Sequence, residues 1–174
     1  TRCYNTCFAI RTVNGEFFMV DTGGGNGILG ILEDMEVPLS KIHHIFITHE
    51  HTDHILGIVW MIRMIATAMK KGSYEGCLNI YCRLTMQKKF YSMIGERIHL
   101  IPVKDQESMD ILGLTVTFFD ILSTKARQFG FTALLANGRK LCCAGDEPLN
   151  PRCEHHAAGS DWLLHEAFCL YGDR

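Results

Sequence analysis

The first apolar pattern is a broken one. In "CFAIRTVNGEFFMVD" two short apolar runs flank Asn14-Gly15, a pair that accepts positive φ in a tight turn, so the stretch predicts a β-hairpin ending at Asp21. "TGGGNG" follows, and a helix is expected from about Gly27 to Met35, stopped by Pro38. "KIHHIFIT", rich in β-branched and aromatic residues, reads as a buried strand. Ile55 to Met69 is apolar almost all round, with Arg63 its only charge, and predicts a helix packed on more than one side. "CLNIYC" is the next strand, and "RLTMQKKFYSMIGER" a helix. "IHLIPV" and "LTVTFFDIL" are further strands. "FGFTALLANGRKLCCAGD" repeats the hairpin plan around Asn137-Gly138, and its exit residue is again an aspartate, Asp146. "DWLLHEAF" is a last strand. Hairpins interrupt the alternation of strands and helices, so mixed sheets covered by helices fit the order better than a doubly wound parallel sheet.

Composition narrows the class. With 174 residues, 47% of them apolar, the chain is expected to form one globular domain over residues 1–174. Its 17 basic and 19 acidic residues give a net charge of -2, which excludes a general nucleic-acid magnet. The doublets Lys70-Lys71 and Lys88-Lys89 read as solvated helix ends. No apolar run is long enough to span a membrane, and the opening Thr1-Arg2-Cys3 carries no signal pattern, so a cytoplasmic protein is expected. The eight cysteines include no C-x-x-C and read as reduced thiols in a core.

Chemistry concentrates in "FITHEHTDHILG". His49, His51, Asp53 and His54 form H-x-H-x-D-H at a strand-to-helix junction. Imidazole nitrogen and carboxylate oxygen are the preferred ligands of zinc and its divalent neighbours. Residues two apart in a loop share a side, so His49 and His51 can converge on one ion. Asp53 and His54 turn into the helix and can face a second. Asp53 can also cap backbone N–H groups at the helix start. Lone histidines are usually structural or solvated, and His43, His44 and His99, which lack such spacing, are read as structural. His155-His156, in "RCEHHAAG", is read as a solvated polar connection near a helix start.

The stretch "ITHEHTDHILG" closely resembles the metal-binding loop of the metallo-β-lactamase-fold hydrolases. "FFMVDTGGG" is similar to the strand, Asp and Gly-rich loop that precede it in that family, and "LCCAGDE" to the strand bearing a metal-bridging Asp. "LLHEAF" resembles the His-Glu-Ala signature of the ribonuclease Z branch, and "RQFGF" its Phe-Gly-Tyr segment. The resemblance runs from about Asn5 to Phe168. It implies a four-layer αββα sandwich of two mixed sheets flanked by helices, lacking the family's first strand and C-terminal part.

The resemblance also implies roles. His49 and His51 would bind a first ion, Asp53 and His54 a second, and Asp146 both, with Asp21 orienting the loop. His165, steadied by Glu166, would donate a proton to the leaving group. The implied cofactor is Zn2+, two ions per complete site, with Mn2+ or Fe2+ as substitutes. The implied reaction is hydrolysis of a phosphodiester, RNA among the candidates, by a metal-bound hydroxide. The family's further ligand histidine would fall in "DILSTKARQFGF", where Leu122 or Thr124 stands instead. A same-fold hydrolase of another ester, thioester, lactam or cyclic phosphodiester, and a non-catalytic member of the fold, are the alternatives. A homodimer is left open.

Overall fold

The computed structural model describes residues 7–85 and 95–165. The chain divides into two compact units, Thr1–Val103 and Lys104–Arg174.

The first unit opens with the hairpin β1 (Phe8–Arg11) and β2 (Phe17–Val20). Gly15, at φ 77°, makes the turn. Helix α1 (Gly27–Asp34) buries Ile28 and Leu32, one turn apart. It ends in a left-handed turn: Glu36 stands at φ 55°, Glu36 N donates to Glu33 O and Val37 N to Leu32 O. Those two bonds satisfy carbonyls the helix leaves open, so the helix stops before Pro38 is reached. Then come β3 (Ile42–Phe46), α2 (Thr52–Lys70), β4 (Leu78–Cys82) and β5 (Ile98–Pro102). The sheet runs β1-β2-β3-β4-β5, antiparallel at β1/β2 and parallel thereafter.

A parallel strand needs both faces covered, and in β3 Ile42, Ile45 and Phe46 are all fully buried. Helix α2 presses Ile58, Met61, Ile62 and Ile65 into the same core. Each such side chain contributes roughly 1.5–3 kcal/mol by leaving water. The expectation that α2 is packed on more than one side is corrected here. Leu56, Trp60 and Met64, at i, i+4 and i+8, form an exposed stripe. The helix is apolar around most of its circumference yet buries one face.

The second unit contains β6 (Ser108–Ile111), β7 (Leu114–Asp120), β8 (Phe129–Leu134), β9 (Lys140–Cys143), α3 (Pro151–Ala157) and β10 (Trp162–Leu164). Its sheet runs β10-β9-β8-β7-β6, antiparallel except for the parallel β9/β10 pair. Both sheets are therefore mixed, as expected, and the two Asn-Gly hairpins lie in different sheets. The sequence pattern does not predict strand β6. Its turn, Leu112-Gly113, has positive φ at both positions, but Leu in that conformation gives no sequence signal.

"RCEHHAAG" is not the solvated connection that the sequence predicts. It is helix, capped by Asn150 Oδ1, which accepts from Arg152 N and Cys153 N. His155 is exposed, but His156 is half-buried, stacked on Phe119 with ring centroids 3.9 Å apart. The segment read as a helix after "CLNIYC" falls, from residue 86 to 94, outside the described residues, and Lys88-Lys89 with it. The six described cysteines are free thiols. Among the described residues, no helix is long and apolar enough to cross a membrane.

Candidate metal centre

The histidine loop is built on Asp21. The residue follows β2 directly, and its N–H donates to Phe46 O at 2.8 Å, which ties the end of β2 to the end of β3. Its backbone stands at φ 55°, an uncommon state for a residue with a Cβ. The next residues grip the start of α2: Thr22 N and Oγ1 both donate to His54 O at 3.0 Å, and Gly57 N donates to Gly23 O at 2.9 Å. Gly57 is required there, because a Cβ would collide with the Thr22 carbonyl.

The buried Asp21 carboxylate accepts three hydrogen bonds. Thr48 N reaches Oδ1 at 2.8 Å, and Thr48 Oγ1 and His54 Nδ1 reach Oδ2 at 2.7 and 2.8 Å. Burial raises its pKa, while His54 and Thr48 pull it down. The geometry assigns tautomers. Thr48 spends its one hydroxyl proton on Asp21, so its oxygen must accept from His49 Nδ1, 2.9 Å away. His49 then carries its proton on Nδ1 and a lone pair on Nε2. His54 likewise points Nδ1–H at Asp21 and carries its lone pair on Nε2. His51 Nδ1 lies 2.8 Å from His49 Nε2. The rings of His51 and His54 stand 4.4 and 4.1 Å from that of His49.

This arrangement fits a divalent ion. Two imidazoles, His49 and His54, have their Nε2 lone pairs set by hydrogen bonds on the opposite nitrogen, which is how a histidine ligand is usually supported. His49 and His54 are buried, while His51 and Asp53 are exposed, so the cluster opens to solvent on one side. Asp53 Oδ2 is 3.7 Å from His54 Nε2. The N-cap of α2 is His51, and Asp53 sits in the first turn, where its charge favours the helix without occupying the cap position. The sequence expectation does not include Thr48, whose place beside His49 at a strand exit is the one available signal.

The remaining candidates lie in the second unit. Asp146 follows Gly145, which turns at φ 74°. His165 lies just past β10, and its Nδ1 is buried without a hydrogen-bond partner among the described residues. Glu166 lies outside the described residues. Leu122 stands at φ 61° and is 63% exposed.

Comparison with known proteins bears on both units. The family profile described as Metallo-beta-lactamase superfamily matches residues 1–65. The YhfI protein of Bacillus subtilis, a metallo-β-lactamase fold protein, superposes on 94% of this chain and 64% of its own with a TM-score of 0.80 at 16% identity. The chain has the metallo-β-lactamase fold. Human tRNase Z, short form, shares it: 94% of this chain and 71% of that one, TM-score 0.71, 22% identity. In sequence, a ribonuclease Z of Methanococcus maripaludis is 35% identical over 88 residues, 51% of this chain. This chain spans 27% of that relative and 18% of the ribonuclease Z of Azobacteroides pseudotrichonymphae.

Proposed function

We propose that this chain is part of a metal-dependent hydrolase that cleaves phosphodiesters in the manner of ribonuclease Z. The observation that carries the reading is the hydrogen-bond relay from Asp21 through Thr48 and His54, which presets the nitrogen each buried histidine turns outward. In this reading His49 and His51 would hold one zinc ion and Asp53 and His54 a second, with Asp146 as a further ligand. Manganese or iron(II) could take the same oxygen and nitrogen donors. Bound metal supplies a hydroxide at neutral pH and stabilises charge on phosphorus. The chain's own groups do the rest. Asp21 holds the histidines in register, and His165, with Glu166 beside it in sequence, gives a proton to the leaving oxygen. Two ribonuclease Z relatives and the tRNase Z fold neighbour support RNA as the substrate class. A net charge of -2 calls for a local, rather than global, attraction to it.

A second reading, a non-catalytic member that binds a single ion, is favoured by Leu122, which supplies no ligand where the family places a histidine. Elemental analysis of metal per chain, with hydrolysis of a bis-nitrophenyl phosphate and of a short RNA, separates the two. Two ions and turnover support the hydrolase; one ion without turnover supports the second reading. Within the hydrolase, His165→Ala should keep its metal and slow the RNA more than the activated ester, because a general acid typically contributes about 10²–10⁴-fold only where the leaving group needs a proton. Loss of metal would make His165 a ligand instead.

A further inference from the structure

The turn that carries Asp146 is gripped by one buried side chain. The last ladder pair between β8 and β9 is Phe131 with Cys143. Beyond it, Ala144 N still donates toward β10, to Leu164 O at 2.9 Å. On the β8 side the backbone contact is replaced by the amide of Gln128. Its Oε1 accepts from Asp146 N at 3.2 Å, and its Nε2 donates to Asp146 O at 3.1 Å. The same Nε2 donates to Glu147 Oε2 at 3.2 Å, which also accepts from Ser123 Oγ at 2.6 Å. Gln128 is 2% exposed. The amide can stand only one way round: flipped, its nitrogen would face the Asp146 N–H and its oxygen a carbonyl and a carboxylate. Gly145 completes the fit, since a Cβ there would strike Ile121 and crowd Gln128 Oε1.

We propose that Gln128 is the positioning residue for Asp146 as a metal ligand, an inference that rests on the reading of Asp146 given above. One planar amide bonds both the N–H and the C=O of a single residue. That two-point grip sets the backbone on either side of the Asp146 Cα, and with it the direction of Cβ. The acceptor and donor must both be present, so a carboxylate in place of the amide loses half the grip and faces Glu147 with like charge.

The test compares Gln128→Leu, Gln128→Glu and Asp146→Asn with the unaltered chain. Zinc affinity is measured by competition with a chromophoric chelator, and the visible spectrum is recorded with Co2+ in place of zinc. Melting of the metal-free proteins is followed in parallel. Loss of a group supporting a ligand typically weakens metal binding about 10–100-fold, and both Gln128 variants should show it with an altered cobalt spectrum. Lower metal-free melting with an unchanged cobalt spectrum and affinity would overturn the inference, because the role would then be structural only. If Gln128→Leu does not fold, Gln128→Glu, which keeps size and one bond, carries the comparison. If Asp146→Asn retains full metal affinity, the reading of Asp146 fails and this inference with it. If Asp146→Asn loses metal and the Gln128 variants do not, only this inference fails.

Discussion

Asp21 holds two histidines and a strand end at once, in a backbone state that few residues tolerate. Asp21→Asn keeps the shape but turns an NH2 toward one of three donors. A hydrogen bond to a charged group is worth roughly 1.5–3 kcal/mol, so the metal-free variant should unfold at lower urea by about that amount, with an unchanged m-value. An unaltered midpoint would mean that the relay does not hold the loop. Gly57 makes a second single-residue prediction. The obstacle to a Cβ is backbone, the Thr22 carbonyl, which cannot swing aside. Overpacking of this kind costs about 1–3 kcal/mol. Gly57→Ala should lower the melting temperature, and a neutral result would show that α2 can slide away from the Asp21 turn.

At the level of elements, helix ends and docking contacts set how firmly each piece is held. Glu36 ends α1 in the left-handed region, where a side chain costs roughly 1–2 kcal/mol. Glu36→Gly should therefore raise stability by about 1 kcal/mol in denaturant unfolding. Helix α3 is docked by His156 on Phe119, by Lys140 Nζ on the carbonyls of His156 and Ala158, and by Arg152 on Asp105. Burial, with Arg152 nearby, holds His156 below its ordinary pKa of 6.5. Its contribution is complete above that value and is lost as pH falls through the lower folded one. For Asp105, burial pushes the pKa up, but the Asp120 N–H and Arg152 outweigh it and hold the carboxyl below its ordinary 3.8. That contribution is lost at still lower pH. Stability measured against pH should fall in two windows. His156→Phe, which keeps the stacking, should remove the upper one, and a profile unchanged by it would refute the assignment.

At the level of the whole molecule, folding and metal binding should be linked. Zinc at 100 times its dissociation constant would add about 2.7 kcal/mol to unfolding if it binds only the folded chain. A chelator should remove that increment, and a melting temperature indifferent to both would count against a metal centre. Much of this protein could be read from short stretches. The hairpins were legible because Asn-Gly dictates a turn from two neighbouring residues. The histidine loop was legible because His49, His51, Asp53 and His54 lie within six positions, where local geometry alone makes them neighbours. What the tertiary structure decided involves distance along the chain. Asp21 meets Thr48 and His54 only because β2 and β3 pair in parallel. Strand β10 finds β9, Gln128 takes the backbone of Asp146, and α2 leaves Leu56, Trp60 and Met64 in solvent. In these cases the outcome is set by packing between separate elements, and no short window of residues carries that information.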